Sequence, residues 1–233
     1  MRHRSNLPEL MDDPHLDSRL LKRALEDVSL VNKWLGGHKV TIEGLEYFFK
    51  NYKQTSYTLV DLGCGDGEML RNIAEYGRDK GIKLQLIGLD LNEKSIELAK
   101  GKSTNFPEIT FAVQDILKLN SKAFNCDIIV CSLTMHHFND EEILDFLNCF
   151  KKLARLGSVI NDLHRSRIAY NLFYAFSNVF MNSYIARNDG LISIKRAFKR
   201  NELKSLADNV GISNYSLKWR WAFRYLWIIK NQA

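Results

Sequence analysis

The sequence predicts an α/β fold, a doubly wound and mostly parallel sheet, and three observations predict it. An apolar, β-prone run (Tyr57, Leu59, Val60, Leu62) passes directly into glycines at 63, 65 and 67, and a helix-like segment begins at Glu68. A second run, Lys83 to Asp90, closes on an acid. A third, Cys126 to Leu133, is continuously apolar after Asp127, as a central parallel strand covered on both faces would be. Strand, tight turn and helix start together put closely approachable backbone and N–H groups where α/β folds bind ligands.

In chain order, residues 1 to 16 are polar and carry Pro8 and Pro14, which suits an extended arm leading into the domain. From Asp17 or Ser18, residues able to cap a helix, Leu21, Leu25, Val28, Val31 and Leu35 recur at helical spacing until Gly36-Gly37 ends the run. A second helix begins near Thr41 with Leu45, Phe48 and Phe49. The helix after the glycine turn covers Glu68 to Tyr76; the one after strand two starts at Asn92, Glu93 or Ser95 and ends near Lys102. Ile109 to Val113 reads as strand three, followed by Gln114-Asp115-Ile116. A helix runs from Asp140-Glu141 to about Leu153, and Gly157 precedes strand five, Ser158 to Leu163.

Between 166 and 187, Tyr170, Phe173, Tyr174, Phe176, Phe180 and Tyr184 stud a helix-like stretch whose Asn171, Asn178 and Asn182 make only a narrow polar stripe. So wide an aromatic face needs a cover: the domain itself, an apolar or aromatic substrate under a lid, or a membrane surface. Asp189-Gly190 makes a turn, and a helix from Asn201 or Glu202 to Asn209 is closed by Gly211. Tyr215 to Trp219 and Phe223 to Ile229 form an antiparallel closing hairpin. The chain thus divides into an arm and helical extension over 1–54 and a ligand-binding domain over 55–233, with an insertion at about 166–192.

Composition bounds the function classes. At 233 residues the chain holds one α/β domain with a substantial core plus an extension. The net charge of +6 is spread among many acids, so it establishes no acidic partner. Cys64, Cys126, Cys131 and Cys149 lack paired C-x-x-C spacing for zinc or redox chemistry; no metal is expected, and reduced cysteines in the cytoplasm are the default. The amino terminus lacks a signal peptide's apolar region, and no uninterrupted apolar stretch is long enough to span a membrane.

The acids select the ligand. Glu68 stands where a G-x-G-x-x-G dinucleotide fingerprint requires glycine or alanine, which disfavours NAD. Asp61 and Asp66 bracket the turn and no Lys-Ser/Thr pair follows it, so a phosphate would meet carboxylates; a cationic ligand suits it instead. Asp90, at the end of strand two, is placed to accept hydrogen bonds from a ribose diol.

Asp61-x-Gly63-x-Gly65-x-Gly67 with Asp90 downstream resembles the S-adenosylmethionine (SAM) site of class I methyltransferases. The resemblance implies a Rossmann-like seven-stranded sheet with an antiparallel last strand. It also implies a glycine loop along the methionine moiety, Asp61 toward its amino group and Asp90 on the ribose. Cys64, Leu91, Asp115, Ile116 and Ser132 then fall at cofactor-binding positions, Asp115 toward the adenine amino group. In this family an N-terminal addition often covers the active site, and strand four faces the reacting methyl group.

Methyl transfer is an in-line displacement in which alignment supplies much of the acceleration, and a base is needed only where the nucleophile must lose a proton. His136 and His137 after strand four, and His164 beside Asp162 after strand five, can exchange protons near neutral pH; a His164–Asp162 pair could deprotonate a phenol. Arg165, Arg196 and Tyr174 are candidate substrate contacts, the arginines for a carboxylate or oxyanion; a salt bridge of either arginine to Asp162 or Asp189 is the equal alternative. Prolines only at 8, 14 and 107 exclude the Asp/Asn-Pro-Pro-Tyr and Pro-Cys signatures of DNA methyltransferases. Nucleic acid is disfavoured as a partner, although Lys195, Arg196, Lys199, Arg200 and Lys204 leave an RNA acceptor as an alternative.

His136-His137-Phe138 and Asn161-Asp162-Leu163-His164-Arg165 resemble bacterial small-molecule methyltransferases of the ubiquinone and menaquinone type, some linked with polyketide or phenolic-lipid pathways. That similarity implies O- or C-methylation of an aromatic, quinol-like or lipid-like acceptor. A non-catalytic SAM-binding scaffold or regulator is the other alternative, and the sequence leaves room for a homodimer.

Overall fold

The computed structural model describes residues 1–119 and 125–231. Seven strands, β1 (Ser56–Leu62), β2 (Lys83–Asp90), β3 (Ile109–Val113), β4 (Cys126–Ser132), β5 (Ala154–Leu163), β6 (Tyr215–Arg220) and β7 (Arg224–Lys230), form one sheet in the order β3-β2-β1-β4-β5-β7-β6. The first five run parallel, and β7 pairs antiparallel with both β5 and β6, so β7 is the reversed strand. Strand order switches direction between β1 and β4, which opens a crevice at their carboxyl ends.

Alternation along the strands feeds two apolar layers. Leu59, Ile128, Val130, Leu226 and Ile228 face one side with α2 (Gly37–Asn51), α3 (Glu68–Lys80) and α4 (Glu93–Lys102). Val60, Ile129, Cys131, Tyr225 and Trp227 face the other, with α5 (Asp140–Leu153) and α8 (Arg200–Asn209). Capping fixes the register of the helices. Asp17 accepts from the N–H groups of Arg19 and Leu20 at the start of α1 (Ser18–Trp34), and Asn139 and Glu142 form a reciprocal box at the start of α5.

A third cluster roofs the carboxyl edge of the sheet. Ala24 and Val31 of α1 pack with Met181 and with Ile185 and Ala186 of α7 (Tyr184–Arg196), and Phe173 and Phe176 of α6 (Arg167–Phe180) lean on them. The amino-terminal arm is part of this layer. Its short 3-10 turn, Leu10–Asp12, is held by the Asp189 carboxylate, which accepts from the N–H groups of Leu10 and Met11 at 2.8 Å each.

Four expectations change. The second helix starts at Gly37, not near Thr41, because Gly36 alone makes the left-handed link (φ 71°) between α1 and α2. Gly157 lies inside β5 (φ 146°), not ahead of it, and a Cβ there would come 2.1 Å from the Ile229 carbonyl oxygen of β7, so close strand approach requires that glycine. The aromatic stretch is two helices, α6 and α7, broken at Met181 to Ser183. Asp189-Gly190 continues α7: Asp189 serves the arm, and Gly190 admits the Phe173 ring, which a Cβ would meet at 2.3 Å. Glycine and aspartate read as a turn from sequence because both purposes lie on other segments.

Candidate active site

A cavity of about 1200 Å³ lies between the carboxyl ends of the strands and the roof. At one end it is lined by the glycine turn with Asp61, Cys64, Asp90, Leu91, Asp115, Ile116 and Ser132, and Gly63 and Gly65 lie on its wall. Gly63, Gly65 and Gly67 all take positive φ, and a Cβ on Gly63 would strike the Thr134 side chain at 2.3 Å.

The loop is braced internally more than expected. Gly63 and Cys64 donate their N–H groups to the Leu89 carbonyl, and Glu68 N–H, at the start of α3, donates to Asp66 Oδ1. Asp66 is neutralised by Lys102 at 2.5 Å and Arg71 at 3.7 Å, so it is not a free acid facing a ligand. Asp90 accepts from Gly65 N–H at 2.8 Å and Asn92 N–H at 2.9 Å; it holds the loop as well as lining the cavity.

Asp61 is different. It is fully buried, its Oδ1 has no partner among the described residues, and burial with the nearby Asp90 charge pushes its carboxyl up to about 7. A carboxylate left short of a donor beside a glycine turn fits the amino group of a methionine moiety, and Asp90 fits a ribose diol. Asp115 accepts from Leu117 N–H and pairs with Lys118, leaving Leu91, Ile116 and Leu117 as apolar walls beside it. Burial pushes the Cys64 thiol up, so it stays neutral.

Under the middle of the roof runs a chain of charges. His136 Nδ1 lies 2.7 Å from Asp162 Oδ1, and its Nε2 lies 3.5 Å from Glu9 Oε1 in the arm. Burial opposes a charge on His136, but the two carboxylates outweigh it and push the imidazole up to about 10. Both carboxyls are held below their usual range despite burial, Glu9 by the hydrogen bond to His136 and Asp162 by the His136 charge. His137 continues the chain to Asp12 Oδ2 at 3.1 Å. Glu9, His136 and His137 offer ligand atoms within 4.8 Å of one another, a set that could also share a cation.

The expected pairing of His164 with Asp162 is therefore replaced: Asp162 serves His136. His164 accepts instead from Trp219 Nε1–H at Nδ1 (3.3 Å), lines the cavity, and is held below its ordinary pKa by partial burial and the charges of Arg165 and Lys199. It is neutral near pH 7. The doubly paired His136 is charged, so the two histidines suit opposite roles.

The expected substrate contacts do not reach the cavity. Arg165 is buried on Glu202 and the Ala197 carbonyl, Arg196 donates to the carbonyls of His136, His137 and Leu7, and Tyr174 points outward, 57% exposed. None of the three is among the lining residues. Residues the sequence did not single out take their place: Glu9, Asp12, Asn161, Trp221, Phe223 and Arg224 all line it. Asn161 Nδ2 donates to Gly37 O and Thr41 Oγ1, and Thr41 Oγ1 sits 2.9 Å from Ser132 Oγ, which ties α2 to the ends of β4 and β5. Arg224 carried a signal, a charge opening an otherwise apolar strand; Glu9, inside a polar arm, carried none.

Residues 59–157 match a family model described as a methyltransferase domain. The match takes in the glycine turn, Asp61, Asp90 and the strands β2 to β4. Over 138 residues, 58% of this chain, the sequence is 28% identical to YqeM of Bacillus subtilis (strain 168), whose name calls it a putative methyltransferase. The matched stretch spans about half the length of the curated relatives, 51% of that protein and 53% of a Geobacillus one.

The plantazolicin methyltransferase BpumL, crystallised with S-adenosylhomocysteine (SAH), superposes with a TM-score of 0.68 at 18% identity, over 89% of this chain and 90% of that one. The magnesium protoporphyrin IX methyltransferase of Synechocystis PCC 6803, also with SAH, gives 0.57 at 16% identity over 84% of each chain. At such identities the likeness is one of fold: the seven-stranded Rossmann-like methyltransferase sheet.

Proposed function

We propose that the chain transfers a methyl group from SAM to an oxygen or carbon of a small aromatic, quinol-like or lipid-like acceptor. One observation carries this reading: a single cavity runs from the buried acids Asp61 and Asp90 to the aromatic walls Phe173, Phe176, Trp221 and Phe223. The acids suit a cationic nucleoside, and the aromatic walls suit an apolar ring or chain under a roof. Two of the similar structures are named for plantazolicin and protoporphyrin methylation and a third is a polyketide synthase methylation domain, which agrees with an organic acceptor.

Bound SAM supplies an electrophilic methyl on sulfur. The chain's own residues then have separable tasks. Asp61 accepts from the amino group and Asp90 from the ribose while keeping Gly65 in place. Thr41, Ser132 and Asn161 fix the strand ends beneath the acceptor. His164, neutral and in the wall, takes the proton of an acceptor hydroxyl; charged His136 anchors the arm and does no proton chemistry. Residues 1–54 and the pair α6–α7 act as the cover that excludes water.

The test is methylation with labelled SAM across phenolic, quinol and polyketide acceptors. His164→Ala should lower kcat for a phenol by about a hundredfold or more, with SAH affinity unchanged. Transfer to no acceptor in the panel, or SAH affinity absent in the intact chain, defeats the reading.

A further inference from the structure

We propose that Arg224 is the residue that recognises the acceptor, and that the acceptor presents an anionic oxygen, a carboxylate or phenolate, to it. This rests on the methyltransferase reading above and names its substrate class. Arg224 opens β7, pairs with Leu163 at the end of β5, and is 3% exposed to solvent while lining the cavity. Its Nη2 donates to Asn32 Oδ1 at 2.7 Å, but Nε and Nη1 have no partner among the described residues. No carboxylate lies within ion-pair distance of it among them.

The contrast with Arg165 and Arg4 is chemical. Arg165 has Glu202 and the Ala197 carbonyl; Arg4 has Asp140 and three backbone carbonyls. Arg224 alone of these faces the cavity, and it alone lacks a counter-charge. Burying a guanidinium unpaired is costly, and the cost falls when an anion arrives. Burial holds its pKa down at about 10 even though Asp162 pulls the other way.

The guanidinium is also held in place. A Cβ on Gly37 would come 3.0 Å from Arg224 Cζ and Nη2, so the start of α2 closes over the group and Asn32 fixes it from α1. Around it stand Leu163, His164, Trp221 and Phe223, apolar and aromatic walls with one cation. An aromatic body with an anionic head matches that arrangement. A neutral ligand would leave the charge unanswered.

The experiment titrates the full chain, saturated with SAH, with 2-naphthoate and with 2-naphthamide, which differ in charge at the head alone. Tryptophan fluorescence and calorimetry read the binding. The acid should bind about tenfold or more tightly than the amide, since a hydrogen bond between charged partners is stronger than one to a neutral head. Arg224→Met should erase the preference and Arg224→Lys should keep part of it, both with SAH affinity within about twofold of the parent. Without probe, Arg224→Met should melt no lower than the parent, which a purely structural arginine would not allow. Equal binding of acid and amide by the SAH-loaded parent, or a preference that survives in Arg224→Met, overturns the proposal. If Arg224→Met does not fold, Arg224→Gln carries the same comparison. Failure of the parent to bind SAH strikes the cofactor reading instead.

Discussion

The faces of the sheet and the roof over its carboxyl edge are held by different forces. The sheet buries two large, almost wholly apolar layers with Leu59, Leu62, Leu70, Phe146 and Trp227 at or below 1% exposure. Among the described residues the roof buries Ala24, Val31, Met181, Ile185 and Ala186 in its own cluster and leaves Trp34, Ile168, Leu172, Val179 and Phe180 open to solvent. Polar attachments hold it: Glu9 to His136, Asp189 to the N–H groups of Leu10 and Met11, Asp27 to Ser183 N–H, and Lys94 to the carbonyls of Pro14 and Leu16. Area burial fixes the sheet whatever the ligand state. A few directional bonds can be released together, so the roof can part while the sheet stays folded.

The sharpest way to break this contrast is inside the sheet. Phe146→Ala removes a ring packed against Phe138 and Phe150 and should cost about 3–5 kcal/mol in denaturant unfolding. His136→Gln comes next, at about 3 kcal/mol, because it leaves Glu9 and Asp162 without their counter-charge. Its signature is the pH profile. An imidazole raised from 6.5 to about 10 contributes stability that is whole below pH 6.5 and is lost between pH 6.5 and about 10. The depressed carboxyls of Glu9 and Asp162 contribute above their ordinary values and lose that contribution as pH falls further. The parent should therefore weaken on the alkaline side, by thermal melting at stepped pH, and His136→Gln should not.

Within the roof, Gly190→Ala should cost about 1–3 kcal/mol by driving a methyl into the Phe173 ring. It should raise the KM of a ring-bearing acceptor more than it lowers the melting temperature. Smallest is the cofactor end. Asp61 titrates near 7 when it lacks a cation and ionises when it gains one, so SAH affinity should rise by at most about tenfold per pH unit below 7 and level above it. A flat affinity between pH 5.5 and 8.5 would take Asp61 out of the cofactor site.

How far the sequence could be read follows the same division. β1 to β4, α4, α5 and α8 were legible to within a residue or two because periodicity and capping are local signals. That Asp61, Gly63, Gly65 and Asp90 share one end of a crevice was legible because one turn and one strand end set them. The roof was not. Asp189-Gly190 looked like a turn and Gly157 was placed ahead of its strand, since the segments that need them, the arm, Phe173 and β7, are distant in sequence. The partners of Arg165 and Arg196 were not legible, because Glu202 and the carbonyls of His136 and His137 are distant in sequence and gave no sign of claiming them. Asp162 met His136, in the 3-10 turn that follows β4, although His164 was nearer along the chain.

The reversal of β7 has a consequence for how such a chain can change. Parallel strands offer their last residues to the ligand edge, each committed to the connection that follows. β7 offers its first residue, Arg224, straight after the hairpin that brings Trp221 and Phe223 to the same place. The head-group preference can then be rewritten by drift in one short hairpin, leaving the nucleoside pocket far upstream intact.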